Sequence, residues 1–165
     1  MSAVDDKMVE IGHDLPAMRG QDGHMWMEAR IQLDVVTLVA FNIGFNDEAS
    51  EGANTIPIEL ATLTFTANAN TFVGFVYDVD ATNDNIHAAW CDDTVIMTDA
   101  AATVRFTGLA PTAARWMTFR VDLWDRGAGN GLRGEFLVTD DTTTGIRDFV
   151  RGPINTSVDR DVLLT

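Results

Sequence analysis

The sequence predicts an all-β protein: a two-sheet antiparallel β-sandwich preceded by an irregular N-terminal arm. Three observations carry this. Apolar and polar residues alternate with a period of two in several runs. Asp-, Asn-, Gly- and Thr-rich stretches such as NDEASEGANT (46–55) separate those runs. No long amphipathic helical pattern is sustained, and MTDAAATV (97–104) suits a turn or a short helix at most. Many short strands with regular turns mean a sandwich or barrel, of which the jelly roll is the commonest large form.

Residues 1–23 read as the arm and 24–165 as the sandwich domain. The first 22 are polar, contain Pro16 and two glycines, and show no sustained period. In HMWMEARIQLD (24–34), Met25, Met27, Ala29, Ile31 and Leu33 share one face, and Trp26, Glu28, Arg30, Gln32 and Asp34 the other. RWMTFRVDLWD (115–125) repeats the pattern, with Met117, Phe119, Val121 and Leu123 inward and Trp116, Thr118, Arg120, Asp122 and Trp124 outward. The octets WMEARIQL and WMTFRVDL are therefore two half-buried strands, each with a tryptophan on its polar face. TLVAFNIGFND (37–47) aligns Phe41, Ile43 and Phe45. ATLTFTA (61–67), NTFVGFVYDVD (70–80), NIHAAWC (85–91), TVRFTGL (103–109), GEFLVTD (134–140) and DVLLT (161–165) complete the expected strands. Asn130-Gly131 between two of them is a strong hairpin signal, so 116–138 reads as one β-hairpin. Trp90 and Phe106 belong to the core. Cys91, the single cysteine, reads as a small buried hydrophobe and excludes an internal disulfide framework.

The 165 residues suffice for one domain with a full core. The net charge is −14, and the 11 basic residues are scattered, a pattern that suits neither nucleic acid nor an anionic membrane. No apolar run reaches the roughly 18 residues that span a bilayer, and the N-terminus lacks a secretory pattern.

Candidate chemistry is sparse. His13, His24 and His87 are far apart and without zinc-ligand spacing, so they read as ordinary surface or half-buried histidines. No cofactor is expected; calcium is the one metal with a candidate run, DVDATND (78–84), where Asp78, Asp80 and Asp84 alternate. That run departs from a calcium loop, with Asn83 in place of the sixth-position Gly and Ala89 in place of the twelfth-position Glu. A polar turn after a strand is the competing reading. Asp92-Asp93 and Asp140-Asp141 are adjacent pairs and not the separated carboxylates of a glycosidase. Ser2, Ser50 and Ser157 lack a nucleophile motif. Enzyme activity is not expected. The outward Trp26, Trp116 and Trp124 suit an interface, packing beneath a flap, or sugar stacking. Arg120, Arg126 and Arg133 lie on or near the hairpin, placed either to meet an acidic partner or to pair with Asp122 and Asp125.

The order of signatures WMEARIQL, FNIGFND, VGFVYDVD, IHAAWC and WMTFRVDLWDRGAGNGLRGEFLV resembles the concanavalin A-like (laminin G-like) jelly-roll domains of tailed-phage structural proteins. It covers residues 24–165 and is a pattern of strands, not a catalytic signature. The resemblance implies a virion protein on the capsid surface, a decoration or cement protein whose partners are the major capsid protein and copies of itself. Such domains usually close with one more strand than this chain supplies. Either the chain is truncated, or the arm or a neighbouring subunit completes the sheet. A carbohydrate-binding jelly roll of a tail fibre or lectin is the alternative.

Overall fold

A computed structural model describes residues 23–46, 56–62, 64–69, 71–82, 85–92, 95–96, 109–125, 132–141 and 148–154. The expectations for the arm, for 103–108 and 161–165, and for Phe106, Asp84, Arg126 and Asn130-Gly131 lie outside them. The strands are β1 (His24–Gln32), β2 (Ala40–Asn46), β3 (Ile58–Ala61), β4 (Thr64–Ala67), β5 (Thr71–Asp78), β6 (His87–Asp92), β7 (Val95–Ile96), β8 (Trp116–Asp125), β9 (Leu132–Asp140) and β10 (Asp148–Ile154). Among the described residues there is no helix. The protein is an antiparallel β-sandwich.

The front sheet has the order β1-β8-β9-β10 and the back sheet β2-β5-β6-β7. Their facing sides interdigitate through aromatic rings, as two inner sheet faces do. Phe75 of the back sheet meets Phe119 at 5.2 Å and Phe136 at 5.7 Å, both edge-to-face. Trp90 stacks on Phe136 at 6.1 Å, and Phe45, Val121, Leu123 and Val138 close the same core. The alternation read in the two octets holds: Met25, Met117, Phe119, Val121 and Leu123 are buried while their chain neighbours are not. β8 and β9 form the expected hairpin, with Asp125 opposite Leu132.

One expectation requires correction. ATLTFTA is not one strand. It breaks at Thr62, and the halves pair as β3 and β4 with Ala61 opposite Thr64. Thr62 takes a φ of 60°, the left-handed geometry that a two-residue hairpin turn demands, in a sequence lacking the usual Gly or Asn. The sandwich also has a third layer, because this hairpin packs on the outer side of the back sheet. Ile58, Leu60, Phe65, Phe72, Val76 and Cys91 form that second core. Asn42 ties the hairpin down: its Nδ2 donates to the Ile58 carbonyl at 3.0 Å and its Oδ1 accepts from the Ile58 N–H at 2.7 Å.

The back sheet is thus buried on both faces, which explains the nearly continuous apolar runs of β5 and β6. Gly44 and Gly74 stand opposite one another in its middle. A Cβ on Gly74 would lie 2.3 Å from the Ile43 carbonyl oxygen and 2.7 Å from the Phe72 ring. Glycine at both positions lets the strands approach and the Phe72 ring lie across them.

Candidate docking face

The outer face of the front sheet is built by β1 and β8, the two similar octets. They are antiparallel neighbours, with Trp26 opposite Asp122, Glu28 opposite Arg120, Ala29 opposite Phe119, Arg30 opposite Thr118 and Gln32 opposite Trp116. The octets are thereby related by a local two-fold through the Ala29–Phe119 pair. The fifth residue of each octet is an arginine that falls diagonally across from the first residue of the other, a tryptophan. The guanidinium carbon of Arg120 lies 4.7 Å from the Trp26 ring centre, and that of Arg30 lies 4.9 Å from Trp116. Each contact is a cation–π pair worth about 0.5–1 kcal/mol at an exposed site.

One end of this face forms a connected network. Arg120 donates from Nε and Nη2 to both carboxylate oxygens of Asp122, at 2.7 and 2.9 Å. His24 Nε2 lies 2.9 Å from Asp122 Oδ1, and its ring stacks flat on Trp124 at 4.6 Å. Glu28 approaches Arg120 at 3.9 Å. The Arg120 guanidinium holds the Asp122 carboxyl below the usual carboxylate range, with His24 helping and burial opposing. Asp122 in turn pushes Arg120 above its ordinary value. At the other end, Arg30 pairs with Asp141 and Arg115 with Asp140, at 3.3 Å for the latter. Gln32 donates to the Ala114 carbonyl at 2.8 Å. The adjacent acids Asp140 and Asp141 therefore each hold a different arginine.

Trp26 is 55% exposed and Trp116 is 43% exposed, so both indoles remain open after their arginines are in place. Their rows are six residues apart along β1, about 20 Å at 3.3 Å per residue. Trp124 is half-buried beneath His24. Arg133 stands opposite Trp124 in the register of β9. All five described arginines, Arg30, Arg115, Arg120, Arg133 and Arg151, lie on the front sheet or at its margin, and the described back sheet and β3–β4 hairpin contain neither Lys nor Arg.

The remaining sequence candidates separate from this face. Asp78 ends β5, and its Oδ1 accepts the Asp80 N–H at 2.8 Å, closing a turn. Burial raises the Asp78 carboxyl; the Asp80 N–H opposes that, and the charges of Asp80 and Glu59 reinforce it. Among the described residues no three His, Cys, Asp or Glu side chains gather as metal ligands. His87 departs from expectation: it is only 1% exposed, edge-on to Phe65 beneath the β3–β4 layer. Its place inside the apolar run IHAAWC was the available signal. Cys91 is buried, as expected. A shallow recess between Ile31, Phe41, Pro111 and Met117 encloses no volume that a water molecule could fill, whereas small-molecule sites begin at roughly 300 Å³. Of the two readings given to Arg120, pairing with Asp122 is the one the structure shows; His24 and Arg30 are the members of the outer network that the sequence reading did not single out.

No family model, curated protein or solved structure matches the chain.

Proposed function

We propose that the chain is a structural decoration protein of a tailed phage, built on a concanavalin A-like jelly roll, that binds the assembled head and stabilises it. The observation that carries this reading is the contrast in coverage. The interior and the back sheet are sealed by apolar packing, while the front sheet turns a flat face with two open tryptophans to solvent. Such a face suits contact with another large surface better than turnover of a small molecule. Capsid lattices offer the contact many times over, so a modest single interface suffices. The major capsid protein is the partner, with copies of the chain side by side on the lattice.

Cosedimentation of the purified chain with heads that lack it tests the reading. Saturable binding is the expected result; a well-behaved chain left wholly in the supernatant would sink it. The second reading, a carbohydrate-binding module, draws on one specific observation: two exposed indoles about 20 Å apart on a flat strand face. A glycan array with wild-type, Trp26→Ala and Trp116→Ala protein separates the two, since sugar recognition predicts signals that the variants lose.

A further inference from the structure

We infer that the outer edge of β1 is where two copies of this chain meet, pairing antiparallel about a two-fold axis at Ala29 and joining their front sheets into one. The inference goes beyond the decoration reading and does not depend on it.

The edge itself is the first argument. Of the strands that end the two four-stranded sheets, β7 has two residues, β10 holds Gly152 and Pro153, and β2 has Gly44 in its middle. β1 has nine residues and neither Gly nor Pro. Its neighbours fix where its backbone groups point. The Asp141 N–H donates to the Trp116 carbonyl, at 3.2 Å, so even-numbered residues of β8 bond to β9. The odd-numbered ones therefore bond to β1, and their partners there are odd too, Phe119 opposite Ala29 and Met117 opposite Ile31. The N–H and C=O groups of Trp26, Glu28, Arg30 and Gln32 are left directed at the open edge. Among the described residues no strand pairs with them. Such an edge is a template for another strand.

Charge selects the occupant and its register. With Ala29 opposite Ala29 of the copy, Glu28 falls opposite Arg30, Trp26 opposite Gln32, and His24 opposite Asp34, which lies just past the strand. Like charges nowhere stand opposite one another. Sliding the copy by two residues sets Glu28 against Glu28 in one direction and Arg30 against Arg30 in the other, and like charges directly opposite destabilise. Glu28 has Arg120 at 3.9 Å and Arg30 has Asp141, yet their side chains stay 47% and 57% exposed and can meet a second partner. The β1–β8 pair shows the same register at work, with Glu28, third in its octet, opposite Arg120, fifth in the other. β1 thus meets a likeness of itself on one side and can meet its own copy on the other.

The inner row agrees. Met27, Ala29 and Ile31 are only half-buried, whereas Val121, Phe119 and Met117, their partners in β8, are buried. In the proposed register Met27 falls beside Ile31 of the copy, which closes that apolar rim. The net charge of −14 pushes copies apart at long range. At about 0.15 M salt, where the Debye length is about 8 Å, that repulsion is largely screened.

Sedimentation velocity of the full chain at that salt, from about 1 to 100 μM, tests this. Wild type is expected to pass from monomer to dimer as concentration rises. Glu28→Arg and Arg30→Glu, each first shown to keep the wild-type melting temperature within a few degrees, are each expected to weaken dimerisation about tenfold or more, because each sets like charges opposite one another twice. An equimolar mixture of the two variants is expected to associate again, since opposite charges then face each other at both places. Wild type that stays monomeric throughout overturns the inference, as does dimerisation that both variants retain. Variants that disperse alone and stay dispersed when mixed overturn the register and the inference with it. Cosedimentation with heads reads the decoration role separately, so either can fail without the other.

Discussion

The two four-stranded sheets share one interior and differ in what lies behind them. The back sheet carries a second apolar layer, the β3–β4 hairpin, so Phe72, Val76 and Cys91 on its outer side are as buried as Phe75 on its inner side. The front sheet has an inner face of the same kind, but its outer face carries Trp, Arg, Glu, Asp and His joined in ion pairs and ring contacts. One sheet is therefore covered on both faces, and the other leaves one of its faces open to solvent. Substitutions on the covered side should cost folding energy, whereas those on the open side should leave the fold nearly intact.

The largest effect is expected inside the sandwich, where both sheets contribute. Phe136→Ala removes the ring that contacts Phe75 and Trp90. Denaturant unfolding should show a loss of about 3–5 kcal/mol. Next comes the back sheet's own interior. Gly74→Ala drives a methyl group against the Ile43 carbonyl and the Phe72 ring, and about 3 kcal/mol should be lost because a backbone atom cannot rotate away. A cost below 1 kcal/mol at either site would mean that the layers are not packed as described. On the open face, Asp122→Asn keeps the shape and removes the charge that holds Arg120 and His24. It should cost about 1 kcal/mol at pH 7. Because the folded Asp122 pKa is depressed, its contribution is present above the unfolded value near 4 and lost as pH falls through the folded one. Wild type and variant should therefore converge in thermal melts below pH 4 and stay apart above it.

The same contrast decides what could be read from sequence. β1 and β8 were legible because a sheet with one wet face writes its alternation into the chain. The β8–β9 hairpin was legible because two alternating runs stand only a short stretch apart in the chain. The β3–β4 turn was not, since Thr62 adopts a left-handed conformation that neighbouring structure imposes and its own chemistry does not announce. β10 was hidden by Gly152 and Pro153, residues that usually argue against a strand. On the outer face of the front sheet, Trp26, Trp116, Trp124 and Arg120 were legible as outward residues. Their pairing was not, because the diagonal from Arg120 to Trp26 depends on the register between strands some ninety positions apart. The clue was the repeat itself: a Trp at position one and an Arg at position five of both octets, which meet only if the octets are antiparallel neighbours.

The smallest expected effect has the opposite sign and tests the acidic turn at the end of β5. Asp78 is raised by burial and by the charges of Asp80 and Glu59, against the help of the Asp80 N–H. A carboxylate whose folded pKa is raised destabilises the fold at pH values above it. Asp78→Asn keeps an oxygen to accept the Asp80 N–H and removes the charge. It should raise stability at pH 7 by about half a kcal/mol or less, since solvent screens so exposed a site. That gain should disappear below pH 4, where the wild-type carboxyl is protonated. The run that looked most like a calcium loop makes this informative. If millimolar calcium raises the melting temperature of wild-type protein and not of Asp78→Asn, the charge at 78 is kept for an ion. If calcium moves neither, Asp78 is the polar end of a strand, and its cost belongs to the turn that separates the covered sheet from solvent.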